Sequence, residues 1–156
     1  MQIVPANATL FQVNGVAAAL NQDYTVNSPQ NPAQLGSTVM LFGTGGGQTS
    51  PPSVAGEVTP LELRPLVTTP QAAIIGIPQM QPPAIFLNVE YAGAAPTLLS
   101  GVTQINVTLP NTIPVSTGYP PGTLPLMVVE PGLPSYQVVT IFAVPPTPTP
   151  TAGTPP

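Results

Sequence analysis

The chain has 156 residues and is nearly uncharged, with five acidic side chains, one cation (Arg64) and a net charge of −4. It contains no His, Lys, Cys or Trp, so the usual general bases, amine and thiol nucleophiles and zinc ligands are missing. One cation cannot neutralise the several phosphates that nucleic-acid binding requires. We therefore expect no enzyme activity, no catalytic, cofactor-binding or metal-binding residues, and no nucleic-acid partner.

The composition favours a folded chain. The 25 Pro and 14 Gly residues bring the chain close to the composition of low-complexity disorder. The apolar fraction of 42% and the mean hydropathy of +0.31 argue against disorder, because disordered chains are poor in apolar residues and rich in charge. Prolines interrupt every long uncharged stretch, so we expect no membrane-spanning helix of about 20 apolar residues.

Short apolar or alternating segments between turn residues predict strands, and helix signals are nearly absent. In chain order the predicted strands are Thr9–Val13, Val16–Asn21, Ser37–Gly43, Gln71–Ile77, Ala84–Ala92, Thr103–Leu109, Thr123–Glu130 and Tyr136–Val144. Apolar and polar side chains alternate in Ile85–Tyr91 and Val102–Leu109, which is typical of half-buried strands. Strands at this spacing predict an all-β sandwich or barrel forming one domain over residues 1–144.

Residues 145–156 read PPTPTPTAGTPP and predict an extended, polyproline-like tail that cannot build a core. This Pro/Thr-rich tail is either a linker or a glycosylated stalk. The candidate O-glycosylation sites are Thr147, Thr149, Thr151 and Thr154. Asn7 and Asn106 begin Asn-X-Thr sequons and are candidate N-glycosylation sites, although Asn106 lies inside a predicted strand.

Three other motifs favour structural roles. The glycine-rich segment Gly43–Ser50 lacks the Lys of a phosphate-binding loop, so its glycines are predicted to supply positive φ angles in a turn. Asn21–Asn27 places oxygen side chains at alternate positions, which indicates an Asx-type hairpin turn or a weak cation site; a calcium loop needs more carboxylates. Glu57 and Glu62 are interpreted as solvated loop acids, with Arg64 pairing one of them.

Several segments together resemble the uncharacterised Solibacter-type C-terminal domain family, found at the ends of long secreted proteins of acidobacteria. The resemblance rests on Ala17–Pro52 (AAALNQDYTVNSPQNPAQLGSTVMLFGTGGGQTSPP), on Val89–Pro96 and Gly101–Val107, and on the closing strand Val138–Val144. One departure is Tyr24, which stands where the family has Gly. The resemblance implies an Ig-like antiparallel β-sandwich, an extracellular or cell-surface location and no known enzymatic activity.

The scarcity of charge bears on function. Soluble chains usually carry about 25% charged residues, whereas this chain has 4%; its surface is therefore either buried against other copies or covered by glycans. The first hypothesis is a non-enzymatic extracellular structural protein that builds a filament or surface assembly by β-strand addition. Its partners would be other copies of itself, with covalent glycans as further candidates.

The strand that crosses between copies would come from one end of the chain. We predict that residues 1–13 form an N-terminal arm or exchanged strand, with Val138–Val144 and its tail as the other candidate. The predicted contact residues are Ile3, Val4, Leu10, Phe11 and Val13. The alternative hypothesis is a monomeric adhesion or carbohydrate-binding module derived from a larger secreted protein, and a third is a passive spacer at the end of a secreted enzyme.

Overall fold

The computed structural model describes residues 6–76, 84–113, 120–131 and 136–146. Within these ranges the chain is all-β and contains no helix. The strands are β1 (Thr9–Leu10), β2 (Gln12–Val13), β3 (Val16–Ala17), β4 (Ala19–Leu20), β5 (Ala33–Gln34), β6 (Thr38–Thr44), β7 (Gln71–Ile75), β8 (Ala84–Ala94), β9 (Val102–Thr108), β10 (Thr123–Val129) and β11 (Tyr136–Val144). The six longest strands confirm the six predicted from Ser37 onward, with ends that differ by at most two residues.

The two predicted strands nearest the N-terminus are each broken in the middle. Thr9–Val13 divides into β1 and β2 at Phe11, and Val16–Asn21 divides into β3 and β4 at Ala18. The chain changes partner at both points. The Phe11 N–H donates to the Phe42 carbonyl over 2.9 Å, while the Phe11 carbonyl accepts the Ala18 N–H over 2.7 Å. The short strand β5 was not predicted.

The strands form one continuous sheet with the order β1-β6-β9-β8-β7-β10-β11-β3-β2, and β4 and β5 attach to β6 and β11. Strand β8 joins the two halves of this sheet. Its first part, Ala84–Leu87, pairs with β7, and its second part, Asn88–Ala94, pairs with β9. The register shifts between Val89 and Tyr91, and such a bulge bends a strand, which turns one half-sheet toward the other.

The sheet is nearly closed and barrel-like, because its path begins at β1 and ends at β2, which are neighbours in the chain. The more specific prediction of an Ig-like sandwich is not decided by this topology. The tail prediction falls mostly on residues 147–156, which lie outside the described residues; Pro145 and Pro146 are exposed.

One apolar core fills the interior. Alternate residues of every long strand point into it, including Val39, Leu41, Ile74, Ile105, Val107, Leu126, Val139 and Ile141, each at most 1% exposed. Full burial of one such side chain contributes about 1.5–3 kcal/mol. The alternation predicted for Ile85–Tyr91 and Val102–Leu109 is confirmed where Ile105 and Val107 enter this core, and it fixes which side chains of the same strands face outward.

Candidate functional site

The N-terminal hairpin, residues 9–20, lies where the two ends of the sheet meet; we call it the seam hairpin. It contains β1 to β4, and its turn is Asn14-Gly15, with φ angles of 52° and 83°. Positive φ at both central residues is the requirement of a type I′ turn, for which Asn-Gly is a preferred sequence. The local sequence therefore explains why β2 and β3 fold back on each other.

The first arm of the seam hairpin pairs with the edge of β6. Thr9 lies opposite Thr44, and Leu10 lies opposite Gly43. Gly43 is required at this position, because a Cβ atom there would collide with the carbonyl oxygen of Thr9. The second arm, β4, pairs with β6 further along the same strand. Both arms therefore attach to one half of the sheet.

The tip of the hairpin attaches to the other half of the sheet. Val16 lies opposite Thr140 of β11, and the Thr140 N–H donates to the Gly15 carbonyl over 2.7 Å. The side chain of Gln137 then bridges β11 to the first arm. Its Oε1 atom accepts the Leu10 N–H at 2.6 Å, and its Nε2 atom donates to the Leu10 carbonyl at 3.0 Å. The Gln137 amide thus pairs with Leu10 as a neighbouring strand would.

A second side-chain amide covers the edge of β11 in the same way. The Phe142 N–H donates to Oδ1 of Asn27 at 2.8 Å, and Nδ2 of Asn27 donates to the Phe142 carbonyl at 2.7 Å. Nδ2 of Asn27 also donates to Oδ1 of Asn21 at 2.9 Å. Both asparagines are buried, at 4% and 6% exposure. Uncharged amides therefore supply the hydrogen bonds that a further strand would otherwise provide.

The loop between these asparagines is an Asx-type turn, as one of the two sequence interpretations proposed. Oδ1 of Asp23 accepts the Thr25 N–H at 3.1 Å. The hydrogen bond from the Thr25 hydroxyl, followed by this backbone bond, lowers the pKa of Asp23 below its ordinary value of 3.8. Among the described residues, no group of three or more His, Cys, Asp or Glu side chains is placed to hold a metal ion.

The predicted contact residues divide into three groups. Leu10 is 3% exposed and belongs to the core of its own chain, whereas Phe11 and Val13 are 42% and 74% exposed. Ile3 and Val4 lie outside the described residues. The structure therefore pairs residues 9–13 of the predicted arm with strands of their own sheet, with the Leu10 side chain turned inward and the Phe11 and Val13 side chains turned outward.

A buried carboxyl group lies next to the same segment. Glu130 is 4% exposed, and among the described residues neither of its carboxylate oxygens has a hydrogen-bond partner. Burial raises the pKa of Glu130 above its ordinary value of 4.5, and the backbone of Ala8 offsets only part of this effect. Sequence reasoning placed Glu130 at the end of the predicted strand Thr123–Glu130 and missed the burial of its carboxyl group, which no local signal indicates.

The candidate glycosylation sites differ in accessibility. Asn7 is exposed, and its backbone N–H donates to the Gly45 carbonyl at 2.8 Å. Asn106 faces outward from β9 and is partly exposed, and its Oδ1 atom accepts a hydrogen bond from Gln104 at 2.8 Å. The four threonines of the tail, at positions 147, 149, 151 and 154, lie outside the described residues.

The glycine-rich loop and the loop acids have the structural roles expected of them. Gly45 and Gly47 have φ angles of 78° and 87°, so these two glycines supply the predicted positive φ angles, whereas Gly43 lies in strand β6. Arg64 pairs with Glu57, as the sequence suggested for one of the two acids. The backbone N–H of Val54 and then the Arg64 side chain lower the pKa of Glu57. Glu62 is exposed.

A depression with a volume of about 490 Å³ lies in the described surface. It is lined by Asn21, Gln22, Asp23, Asn31, Pro32, Ala33, Gln34 and Ser37. Some of the polar groups in this lining are already bonded within the chain. Oε1 of Gln22 accepts the Thr38 N–H at 3.0 Å, and Nδ2 of Asn31 donates to the Thr25 hydroxyl at 2.6 Å. The depression therefore offers a polar but partly occupied lining to any ligand.

Comparison of the chain with family models, curated proteins and solved structures finds no match. The resemblance to the Solibacter-type C-terminal domain therefore stays a prediction. In the described part of the chain, no helix is long and apolar enough to cross a membrane.

Proposed function

We propose that this protein is a non-enzymatic structural subunit whose copies join by β-strand addition into an extracellular filament or surface assembly. The observation that carries the proposal is the position of the N-terminal segment. Residues 9–13 contain both ends of the sheet path and so close the sheet. A segment that bonds to both edges of a sheet can make the same bonds in another copy, which is the basis of domain swapping.

The contacts that hold the seam hairpin in place are of a kind that can also form between copies. Its contacts are main-chain hydrogen bonds, the Gln137 amide and the buried Leu10 side chain, and no ion pair takes part in them. Because the same contacts form within or between copies, the two arrangements differ mainly in connectivity. A high protein concentration then favours exchange, because the segment of another copy must compete with the chain's own segment, whose effective concentration is in the millimolar range.

Exchange also requires a hinge, and the Asn14-Gly15 turn is the natural candidate. Both residues adopt positive φ in the closed hairpin, and glycine reaches extended conformations as readily. If the turn opens, residues 6–13 leave their own sheet and expose two edges, one on β6 and one on β3, together with the Gln137 amide of β11. A second copy can fill both edges with its own N-terminal segment.

The remaining parts of the proposal concern fold detail and location. An Ig-like sandwich topology and an extracellular or cell-surface location are supported by the resemblance of Ala17–Pro52 to secreted modules. The charged fraction of 4% supports a surface that is covered by other copies or by glycans rather than kept soluble by charge. Glycans on the tail threonines and on Asn7 would give such a surface the solubility that charge does not provide.

A cysteine pair tests the strand addition directly, because the chain has no native cysteine. Thr9 and Thr44 are exposed and lie directly opposite each other, so their Cα atoms are about 4.5–5.5 Å apart, within the range for a disulfide. We expect the double variant Thr9→Cys/Thr44→Cys, oxidised after assembly, to give a ladder of covalent multimers on a non-reducing gel.

The matched control is Thr38→Cys/Thr108→Cys, which are also directly opposite each other but lie on β6 and β9. This pair stays within one chain in either arrangement, so the control should migrate as a monomer. Assembled material in which the Thr9→Cys/Thr44→Cys variant also yields only monomers would show that the N-terminal segment does not cross between copies. Material that never assembles would overturn the proposal as a whole.

One observation favours a second function, the monomeric adhesion or carbohydrate-binding module. The depression of about 490 Å³ is lined by amide and carboxylate groups, which are the usual partners of sugar hydroxyls, and the neighbouring Tyr24 is 76% exposed. This function predicts a monomer that binds on a glycan array and loses that binding in Asp23→Ala or Gln34→Ala. A monomer that binds no glycan would exclude it.

A further inference from the structure

The two half-sheets present very different outer faces. On β9 and the second part of β8, the outward side chains are polar and bond to each other. Oε1 of Glu90 accepts hydrogen bonds from Asn88 at 2.6 Å and from the Thr108 hydroxyl at 2.9 Å. Gln104 donates to Asn106 on the same face. This polar face is of the kind expected for a sheet surface in contact with water.

The outer face of the other half-sheet is apolar. Its inward residues, such as Ile74, Leu126 and Val139, belong to the core, so the residues that alternate with them point outward. One register level crosses four strands through Phe86, Ala73, Met127 and Val138. We call this half-sheet surface the apolar face. Its outward residues on β7, β8, β10 and β11 include the polar residues Gln71, Thr123 and Thr140 and the apolar residues Ala73, Ile75, Ala84, Phe86, Pro125, Met127, Val129, Val138 and Phe142.

Exposure is concentrated at the two sides of this row. Phe86 is 67% exposed and Val138 is 39% exposed, although both lie in regular strands. Ala73 between them is fully buried, and so is Pro125 on the same face. A large aromatic side chain held in the open on a strand makes no use of its apolar area within the chain, and such patches mark contacts with other molecules.

Charge identifies the kind of partner. None of the outward residues of the apolar face is charged, and the chain's charged side chains are Asp23, Glu57, Glu62, Arg64, Glu90 and Glu130. A partner with ionised groups would have to bury them without a counter-charge, which costs several kcal/mol. A second copy of the same face buries no charge at all, and a two-fold contact uses this one face on both copies.

We infer that the apolar face binds the apolar face of a second copy, forming a two-fold contact separate from strand addition. The area of this two-fold contact limits its strength. Four strands about 4.8 Å apart and about 20 Å long give a footprint of roughly 400 Å². Two copies then bury about 800 Å², below the roughly 1,200–2,000 Å² of stable interfaces. A single contact is therefore weak, and it becomes effective when it repeats along an assembly.

The test compares Phe86→Asp with a matched control, Val26→Asp. Val26 is 66% exposed and belongs to the loop between β4 and β5, not to the apolar face, so both variants add one carboxylate at nearly equal exposure. Because Phe86 is so exposed, the fold should tolerate the change, and a circular dichroism melt checks this. The neutral variant Phe86→Thr should weaken the contact in the same direction but less.

Sedimentation velocity over about 1–300 μM and negative-stain micrographs of the full chain give the readouts. We expect wild type and Val26→Asp to self-associate alike, and Phe86→Asp to weaken this step by about 30-fold or more, since each contact would bury two unpaired charges. Where strand-addition polymers form, those of wild type should associate side by side and those of Phe86→Asp should remain single.

Each outcome decides between the two proposals. Polymers that associate side by side in Phe86→Asp as in wild type would overturn the apolar contact and leave strand addition standing. Dimers that are sensitive to Phe86→Asp, without polymers, would support the apolar contact and contradict strand addition. A wild-type chain that stays monomeric throughout would overturn both, and the apolar face would then belong to a partner of other chemistry. Equal loss in Val26→Asp would show a general effect of charge and overturn the assignment.

Discussion

Removing the Gln137 side chain tests whether a single amide holds the seam closed. In the variant Gln137→Ala, the Leu10 N–H and carbonyl lose their partners, which lie at 2.6 Å and 3.0 Å in the wild-type protein. Leu10 is 3% exposed, so water cannot readily replace the amide. A hydrogen bond contributes about 0.5–1.5 kcal/mol net, and an unpaired buried group costs about 1–3 kcal/mol.

Two lost bonds at this site therefore predict a destabilisation of about 2–3 kcal/mol. For a chain of this length the melting temperature should fall by roughly 4–12 °C, measured by circular dichroism at one pH and protein concentration. The control is Gln104→Ala, because the Gln104 amide bonds only to the Asn106 side chain among the contacts of this structure, and its loss should cost less than about 0.5 kcal/mol.

Amide hydrogen exchange gives a local readout of the same change. The Leu10 amide should exchange at least about tenfold faster in Gln137→Ala, as a loss of 1.4 kcal/mol or more in the closed state requires. Amides of β9, on the far side of β6, should change only through global stability. A Gln137→Ala variant that melts and exchanges like wild type would refute the role assigned to this side chain.

Three further predictions concern other residues at the seam. Glu130→Gln should raise the melting temperature at pH 7.5 by about 3 °C or more, but not at pH 4. The stability associated with neutral Glu130 is present below pH 4.5 and is lost as the pH rises through the raised pKa of Glu130 in the folded state. Equal shifts of the melting temperature at both pH values would contradict this. Asn27→Ala should destabilise the chain by about 2–3 kcal/mol in a urea titration, since it leaves the backbone N–H and carbonyl of Phe142 without their partner. An Asn27→Asp variant that keeps wild-type stability would show that the Nδ2 donor is unnecessary. Gly43→Ala should cost about 2 kcal/mol or more because its Cβ meets the Thr9 carbonyl, and a chain that melts within 1 °C of wild type would rule out this close approach.

The long strands were predictable because local pattern and tertiary position agree in them. In β9, for example, Ile105 and Val107 alternate with Gln104 and Asn106, and the structure turns the first pair inward and the second outward. The breaks at Phe11 and Ala18 were not predictable. No Gly or Pro marks either break in the sequence, and only the change of partner from β6 to the hairpin separates the strands.

The amide groups of the seam were not predictable either. Gln137 and Asn27 look in the sequence like ordinary polar residues of a strand and a turn, and no local signal shows that each will face the main chain of a distant segment. Leu10 is a different case, because the sequence did predict that this residue makes a contact. Its place in a short apolar strand predicted a contact surface, and the contact that the structure shows is with the core of its own chain.

The most direct test of strand addition uses two singly substituted chains, Thr9→Cys and Thr44→Cys, mixed before assembly and oxidised afterwards. A disulfide that joins the two positions in this mixture can form only if residue 9 of one copy lies opposite residue 44 of another. The account predicts a covalent heterodimer, identified by mass spectrometry of the disulfide-linked peptides, in the assembled fraction. Assemblies that contain no such linkage would contradict it, because the N-terminal segment would then close only its own sheet.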